Sequence, residues 1–274
     1  MPSRTNRTIV FLSVMPLLIA VCVHVASQTP IIIQRQQPQT PPPPPKPVTV
    51  PDAIGLVTSG DFSGPWLDMI ARAKAVEAVP ALKGQFLRVQ NSDTKAHIAS
   101  VLVRLGDRDE VYWDFLTDYA TRAVEVNAPD LQHYDQEGKP LSDPSPAFIA
   151  WAGANQLTVN TAMQQEGHLE AAIIFLASTG DPRAAPLLRR GLLSSDYLIA
   201  ANSAQGLAEA KDADSVPLII DACRRAPPAW QGAIAQSLAY FDDPDAQRAV
   251  DQYVPKDMAS ALRAEHAKGK TPFR

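Results

Sequence analysis

The sequence predicts an all-α chain, an α-solenoid of stacked antiparallel helix pairs, and three observations carry that expectation. A short capping signature recurs at intervals of 31 residues. Large aliphatic residues stand at fixed offsets before each copy of it. An apolar N-terminal stretch and a proline-rich stretch set themselves apart from a 223-residue body, Asp52 to Arg274, which is enough for one large domain.

Residues 1–27 read as a signal peptide. Arg4 and Arg7 make a positive start, and the apolar run Ile9 to Val23 falls short of the roughly 20 residues that a spanning helix needs. Val25-Ala26-Ser27 then places small residues before a cut at Gln28. The expected location is therefore exported, periplasmic or extracellular. Retention as an anchor would be the only membrane contact, and a lipid on Cys22 is a further alternative, although Val21 stands where a lipobox wants a small residue.

Residues 28–51 form a proline-rich linker. Eight of the chain's 25 prolines lie in residues 38–51, including the run Pro41 to Pro45, so this stretch favours extended polyproline II and reads as a semi-rigid spacer. Loss of Arg4 and Arg7 on processing would take the net charge from −4 to −6, which leaves no electrostatic footprint for nucleic acid. Of the two cysteines, Cys22 and Cys223, only the second would survive. No internal disulfide is then available, and the apolar core must hold the fold.

In the body, 52–274, the anchor signature is clearest in Gly180-Asp181-Pro182-Arg183-Ala184-Ala185-Pro186-Leu187-Leu188. It recurs in Lys211-Asp212-Ala213-Asp214-Ser215-Val216-Pro217-Leu218-Ile219 and in Asp242-Asp243-Pro244-Asp245-Ala246. Gly106-Asp107 carries it upstream, and Ala75 leads into Val79-Pro80-Ala81-Leu82 at matching offsets. A glycine accepts the left-handed conformation that ends a helix, an aspartate accepts from the free amides of the next helix, and a proline at its first position loses no bond. Pro80, Pro186 and Pro217, deeper in, are expected to bend their helices near the start.

The helix before each anchor is expected to supply the core. Five positions back stand Ile70, Leu102, Leu176, Leu207 and Leu238; eight back, Leu67, Ala99, Ile173, Ala204 and Ala235; four back, Ala71, Val103, Ala177, Ala208 and Ala239. One large residue flanked by small ones lets neighbouring helices approach closely. The period breaks between Asp107 and Asp181, which are 74 residues apart where two periods make 62. An irregular insertion over about 127–165 accounts for the excess, with Asp143-Pro144 as a displaced anchor. Asp257 to Lys268 reads as a terminal capping helix.

On these residues the chain resembles the HEAT-like family, in particular the short repeats also seen in phycobilin lyases, over about residues 65 to 254. The resemblance implies helix pairs stacked into a superhelix and a scaffold or binding role, and it does not carry lyase activity. It also implies that the second helix of each pair faces a concave groove. The lining residues would then be His97, Ser100 and Arg104; Ala171, Ile174 and Ser178; Asn202, Gln205 and Glu209; and Ala233, Gln236 and Tyr240. Because Ile174 and Phe175 interrupt an otherwise polar lining, the insertion is expected to fold back over them.

No catalytic or metal-binding constellation emerges. Ser92-Asp93-Thr94-Lys95 has the Ser-x-x-Lys spacing of penicillin-interacting enzymes without their partner motifs, so Ser92 and Asp93 read as helix caps. His97, His133, His168 and His266 lack a zinc-ligand spacing. His133 with Asp130, Asp135, Glu137 and Asp143 fits no calcium loop and reads as a solvated turn. Cys223 reads as a buried thiol. The aromatic group Tyr112, Trp113, Phe115, Tyr119, Tyr134, Phe148 and Trp151 reads as packing within the insertion, with a recognition site as the alternative. The expected function is a non-catalytic protein- or peptide-binding scaffold in the bacterial envelope, with no cofactor and no nucleic-acid partner. The alternative is an enzyme or ligand-carrying protein whose site is formed by the 127–165 insertion.

Overall fold

The computed structural model describes residues 48–273 apart from 64, 133–138, 140, 142 and 143. The expected signal peptide and the proline-rich linker up to residue 47 lie outside the described residues. So do His133, Tyr134, Asp135, Glu137 and Asp143.

The described chain is all-helical, with no strand. In order the helices are α1 (Val50–Ser59), α2 (Trp66–Arg72), α3 (Val79–Arg88), α4 (Ser92–Arg104), α5 (Glu110–Val126), α6 (Pro146–Ala154), α7 (Val159–Ser178), α8 (Ala185–Gly191), α9 (Tyr197–Glu209), α10 (Val216–Arg225), α11 (Pro228–Ala235), α12 (Pro244–Tyr253) and α13 (Lys256–Ala267). No helix among the described residues is long and apolar enough to cross a membrane. Helix α1 starts two residues inside the expected linker. Thr49 caps it by accepting from the Asp52 amide while the Asp52 carboxylate accepts from the Thr49 amide, a reciprocal capping box.

Consecutive helices pair as α1 with α2, α3 with α4, α5 with α7, α8 with α9, and α10 with α11. The later members also touch one another in sequence: α2 meets α4, α4 meets α7, α7 meets α9, and α9 meets α11 together with the 3₁₀ turn Gln236–Tyr240. Every residue in the three predicted core columns is buried, and Ile70, Leu102, Leu176, Leu207 and Leu238 are all fully inaccessible. The small flanking residues allow the expected close approach. At Gly206 on α9, an added Cβ would stand 2.8 Å from the Ala177 Cα and 2.6 Å from its Cβ, closer than such atoms pack.

The anchors have one local design, which differs in part from the expected one. The residue before four of the five anchors takes the left-handed conformation: Lys74 (φ 52°), Gly106 (φ 89°), Gly180 (φ 63°) and Lys211 (φ 56°), with Asp242 before Asp243 the exception. A one-turn 3₁₀ helix then follows at Val76–Ala78, Pro182–Ala184 and Ala213–Ser215. The α-helix proper begins only after it, so Pro80, Pro186 and Pro217 fall in the first turns of α3, α8 and α10. These prolines start their helices rather than bend them, because their missing amides lie where no intrahelical acceptor exists.

Asp181 and Asp243 cap as expected. Asp212 does not: its carboxylate takes a bidentate pair from Arg189 (2.9 and 2.7 Å) on α8. Asp107 meets Lys83 of α3 at 2.8 Å. At α4 the cap is Asn91, which accepts from the Thr94 amide, and not Ser92 or Asp93. Asp93 instead bridges helices, bonding the Tyr119 hydroxyl and, at 2.5 Å, His168 Nδ1.

Lys211 holds a strained left-handed position without a glycine, and its side chain is exposed. Lys211→Gly is expected to raise stability by up to about 1 kcal/mol, since an L side chain is disfavoured there and glycine is not. The check is the urea midpoint at constant m-value.

The insertion contributes α6 and a small separate core of Phe148, Ala152 and Ala162, with Trp151 and Leu157 against it. Ser145, not Asp143-Pro144, caps α6 by accepting from the Phe148 amide, and Pro146 occupies its first position. This core sits at the N-terminal end of α7. It therefore does not cover Ile174 and Phe175, which stand near that helix's other end.

Candidate functional site

The half-buried Ile174 and Phe175 border a cleft of about 510 Å³. Helix α2 contributes Asp68 and Arg72, α4 contributes His97 and Arg104, α7 contributes Ser178, and the segment after α13 contributes Lys270, Pro272 and Phe273. Across this cleft from the Ile–Phe pair stands the chain's own 270–273 segment, and no described residue of the insertion borders it. Phe175 also stacks on the His97 ring, with centroids 4.8 Å apart and planes 15° from parallel. His97 Nε2 lies 3.2 Å from Asp68 Oδ1. That hydrogen bond holds the Asp68 carboxyl below the usual range against its desolvation, with Arg104 and Arg72 adding positive field.

The segment is held by its backbone. The Phe273 amide donates to Glu209 Oε2 at 3.0 Å, and the Phe273 carbonyl accepts from Arg104 Nη2 at 3.4 Å. Behind it, Lys270 and Thr271 border a smaller cleft of about 230 Å³ with Tyr240, Phe241 and His266. Lys268 and Lys270 both pair with Glu265, and these contacts hold its carboxyl below the usual range.

Of the predicted lining residues, His97, Arg104, Ile174 and Ser178 meet in the first cleft, Glu209 reaches it through Phe273, and Tyr240 lines the second. Ser100 does not belong: it is fully buried, and its hydroxyl donates to the His97 carbonyl. Asn202 is likewise buried between helices. Gln205 and Gln236 are half-buried and border neither cleft. Asp68 and Arg72 were not foreseen. They stand seven and three residues before Ala75, the offsets that pick out Ile174 and Ser178 before Asp181, so the same columns in the first segment point to them.

A second constellation lies midway along α7. Glu166 and Glu170, one turn apart, and Asp196, the cap of α9, bring carboxylate oxygens within 4.8 Å of one another. Asp130 joins them from the segment after α5. Its amide donates to the Ser195 carbonyl at 3.2 Å, and Asn127 Oδ1 accepts from the Ser195 amide at 3.0 Å. Burial, reinforced by the other carboxylates, pushes Glu166 and Glu170 up to about 8 and Asp130 up to about 6, and burial also raises Asp196. Like charges at this helical spacing repel, and that is the sequence signal that marks Glu166 and Glu170. Cys223 is fully buried, and desolvation lifts its thiol to about 12, so it carries no nucleophile.

No known family model, curated protein or solved structure matches the chain.

Proposed function

We propose that the chain is a HEAT-like scaffold of stacked helix pairs, exported to the bacterial envelope, whose groove binds short proline–aromatic peptide segments of a protein partner. The observation that carries this reading is the course of the chain's own 270–273 segment. It runs along the residues three before each anchor: Arg104, Ser178, Glu209 and Tyr240. A buried carboxylate and a guanidinium take the main-chain amide and carbonyl, while Phe175, Ile174 and His97 offer an apolar wall to a ring. Main-chain hydrogen bonds give affinity to any peptide, and the apolar wall selects for the ring and its neighbouring proline.

Deleting residues 268–274 should vacate the cleft. The truncated chain is then expected to bind a labelled peptide Lys-Gly-Lys-Thr-Pro-Phe-Arg with a micromolar Kd by fluorescence anisotropy. The full chain should bind it far more weakly, because the site is already filled. The same peptide with alanine for phenylalanine should bind about tenfold less tightly, which is about 1.4 kcal/mol. A truncated chain that keeps its helical signal and ignores the peptide counts against the cleft as a peptide site.

A further inference from the structure

We propose that Glu166, Glu170 and Asp196 form a binding site for one divalent cation of calcium size, which fastens α7 to α9 and, through Glu166, to the segment after α5. The site shares no residue with the peptide cleft, which begins one turn further along α7 at Ile174.

The cluster alone would not carry this. The independent observation is the Asp196 side chain, which is only 1 % exposed. Its Oδ1 accepts from the Leu198 and Ile199 amides at 2.8 and 3.2 Å, as a helix cap does. Its Oδ2 is buried without any hydrogen-bond partner. Asp130 stands nearby, with its Oδ1 accepting from the Gln132 amide at 2.8 Å and the Trp230 indole beside its carboxylate. A buried carboxylate oxygen left with no donor costs several kcal/mol, so such groups are ordinarily paired or bound to a metal.

Nor does a side-chain cation balance the charge. The contributions that favour ionisation at these four carboxylates come from the backbone amides of Leu131, Gln132, Leu198 and Ile199 and from Trp230; no lysine, arginine or histidine is among them. Three carboxylates thus converge on one point, with Asp130 nearby, and no cationic residue acts on them among the described residues.

The ligand chemistry selects the ion. All donors are carboxylate oxygens, which suit hard cations, and there is neither thiolate nor imidazole to favour zinc or copper. Oxygens on opposite sides of a calcium ion, each at roughly 2.4 Å, stand about 4.8 Å apart, the limit within which the oxygens of Glu166, Glu170 and Asp196 lie. Magnesium needs a tighter octahedron and dehydrates reluctantly, so it is expected to bind these carboxylates more weakly.

The loop is already positioned to receive the ion. The Leu131 amide donates to Glu166 Oε1 at 3.1 Å, and the Ser145 amide and hydroxyl bind the carbonyls of Leu131 and Asp130 at 2.7 Å each. A bound cation would complete a junction in which the backbone is set and only the charge is missing.

The test is calcium binding to the chelator-stripped full chain, by isothermal titration and by thermal unfolding. One ion per chain is expected, with a clear rise in Tm at about 1 mM calcium, near the weak end of known protein sites, and a smaller rise with magnesium at the same concentration. Glu170→Gln should weaken binding by at least about tenfold. As a readout that does not depend on the variant folding, terbium should luminesce on excitation of Trp230, which borders Asp130, and calcium should quench the signal by displacement. Absence of calcium binding to the wild-type chain would overturn the proposal. So would undiminished binding in a folded Glu166→Gln/Glu170→Gln double variant.

Discussion

Leu207→Ala is expected to lower the free energy of unfolding by about 2–5 kcal/mol, through lost burial and the cavity left behind. The upper part of that range applies, because the site cannot collapse easily. Helix α9 is packed against α7, α8, α11 and the 3₁₀ turn that follows α11, and Leu207 is fully inaccessible. The adjacent Gly206 already brings the backbone of α9 against Ala177 and the Leu188 side chain, so no loose neighbour remains to fill the space. Glu209, exposed by the sequence reading, is no control: it is 4 % exposed and holds the Phe273 amide. Asp118 on α5 is exposed, and Asp118→Ala should change stability by under about 0.5 kcal/mol. Equal, small effects in urea denaturation would refute the assignment of the core column.

In chelator the chain is expected to lose stability as the pH rises from 5 to 8. Glu166 and Glu170 titrate near 8 and Asp130 near 6 in the folded chain, above the roughly 4 of unfolded carboxylates. A carboxyl with a raised folded pKa binds its proton more tightly when folded. Its stabilising contribution is therefore complete below the unfolded value and is lost as the pH climbs through the folded one. With about 1.4 kcal/mol for each tenfold change in proton affinity, the loss across these three pH units should be up to about 4 kcal/mol for a group titrating near 8. Asp68, Asp107 and Asp181 are shifted downward, so their contribution disappears only in the acid range, outside this window. Glu170→Gln should flatten the slope. Unfolding free energies that are level across this range in both chains would mean that the carboxylates are well solvated.

The parts of the fold visible in the sequence are those set by local spacing. Ile70, Leu102, Leu176, Leu207 and Leu238 could be read as core because a helix repeats its faces every few residues whatever lies opposite. The start of α3, α8 and α10 was misjudged, because a 3₁₀ turn consumes three residues before each α-helix without changing the apolar pattern. Cap identity slipped by one residue at α4 for a similar reason: Asn91, Ser92 and Asp93 are all good caps, and packing of Asp93 against Tyr119 and His168 leaves Asn91 for the role.

The sites were less legible because they join distant stretches. Asp130 and Asp196 come together only through the clasp of Asn127 and Asp130 on Ser195. Burial of Ser100 and Asn202 depends on helices to either side, not on their own helix, so a face assigned from periodicity alone placed them in the groove. Helix α13 was foreseen, but the course of the residues after it, which carry no periodic signal, was not.

The hydrogen bond between Arg104 and the Phe273 carbonyl joins residues 169 apart, whereas the helices pack mainly on near neighbours in the chain. It cannot form until everything between has docked, so it closes last in folding and opens first, by a local fluctuation that leaves the core intact. The rate at which the cleft empties is thus the rate of a short segment lifting, not of unfolding. Any ligand competing for that space meets it only in the open fraction, and its apparent affinity is scaled down by that fraction. The strength of two main-chain hydrogen bonds and one half-buried ring therefore sets the concentration threshold at which the chain responds to a partner.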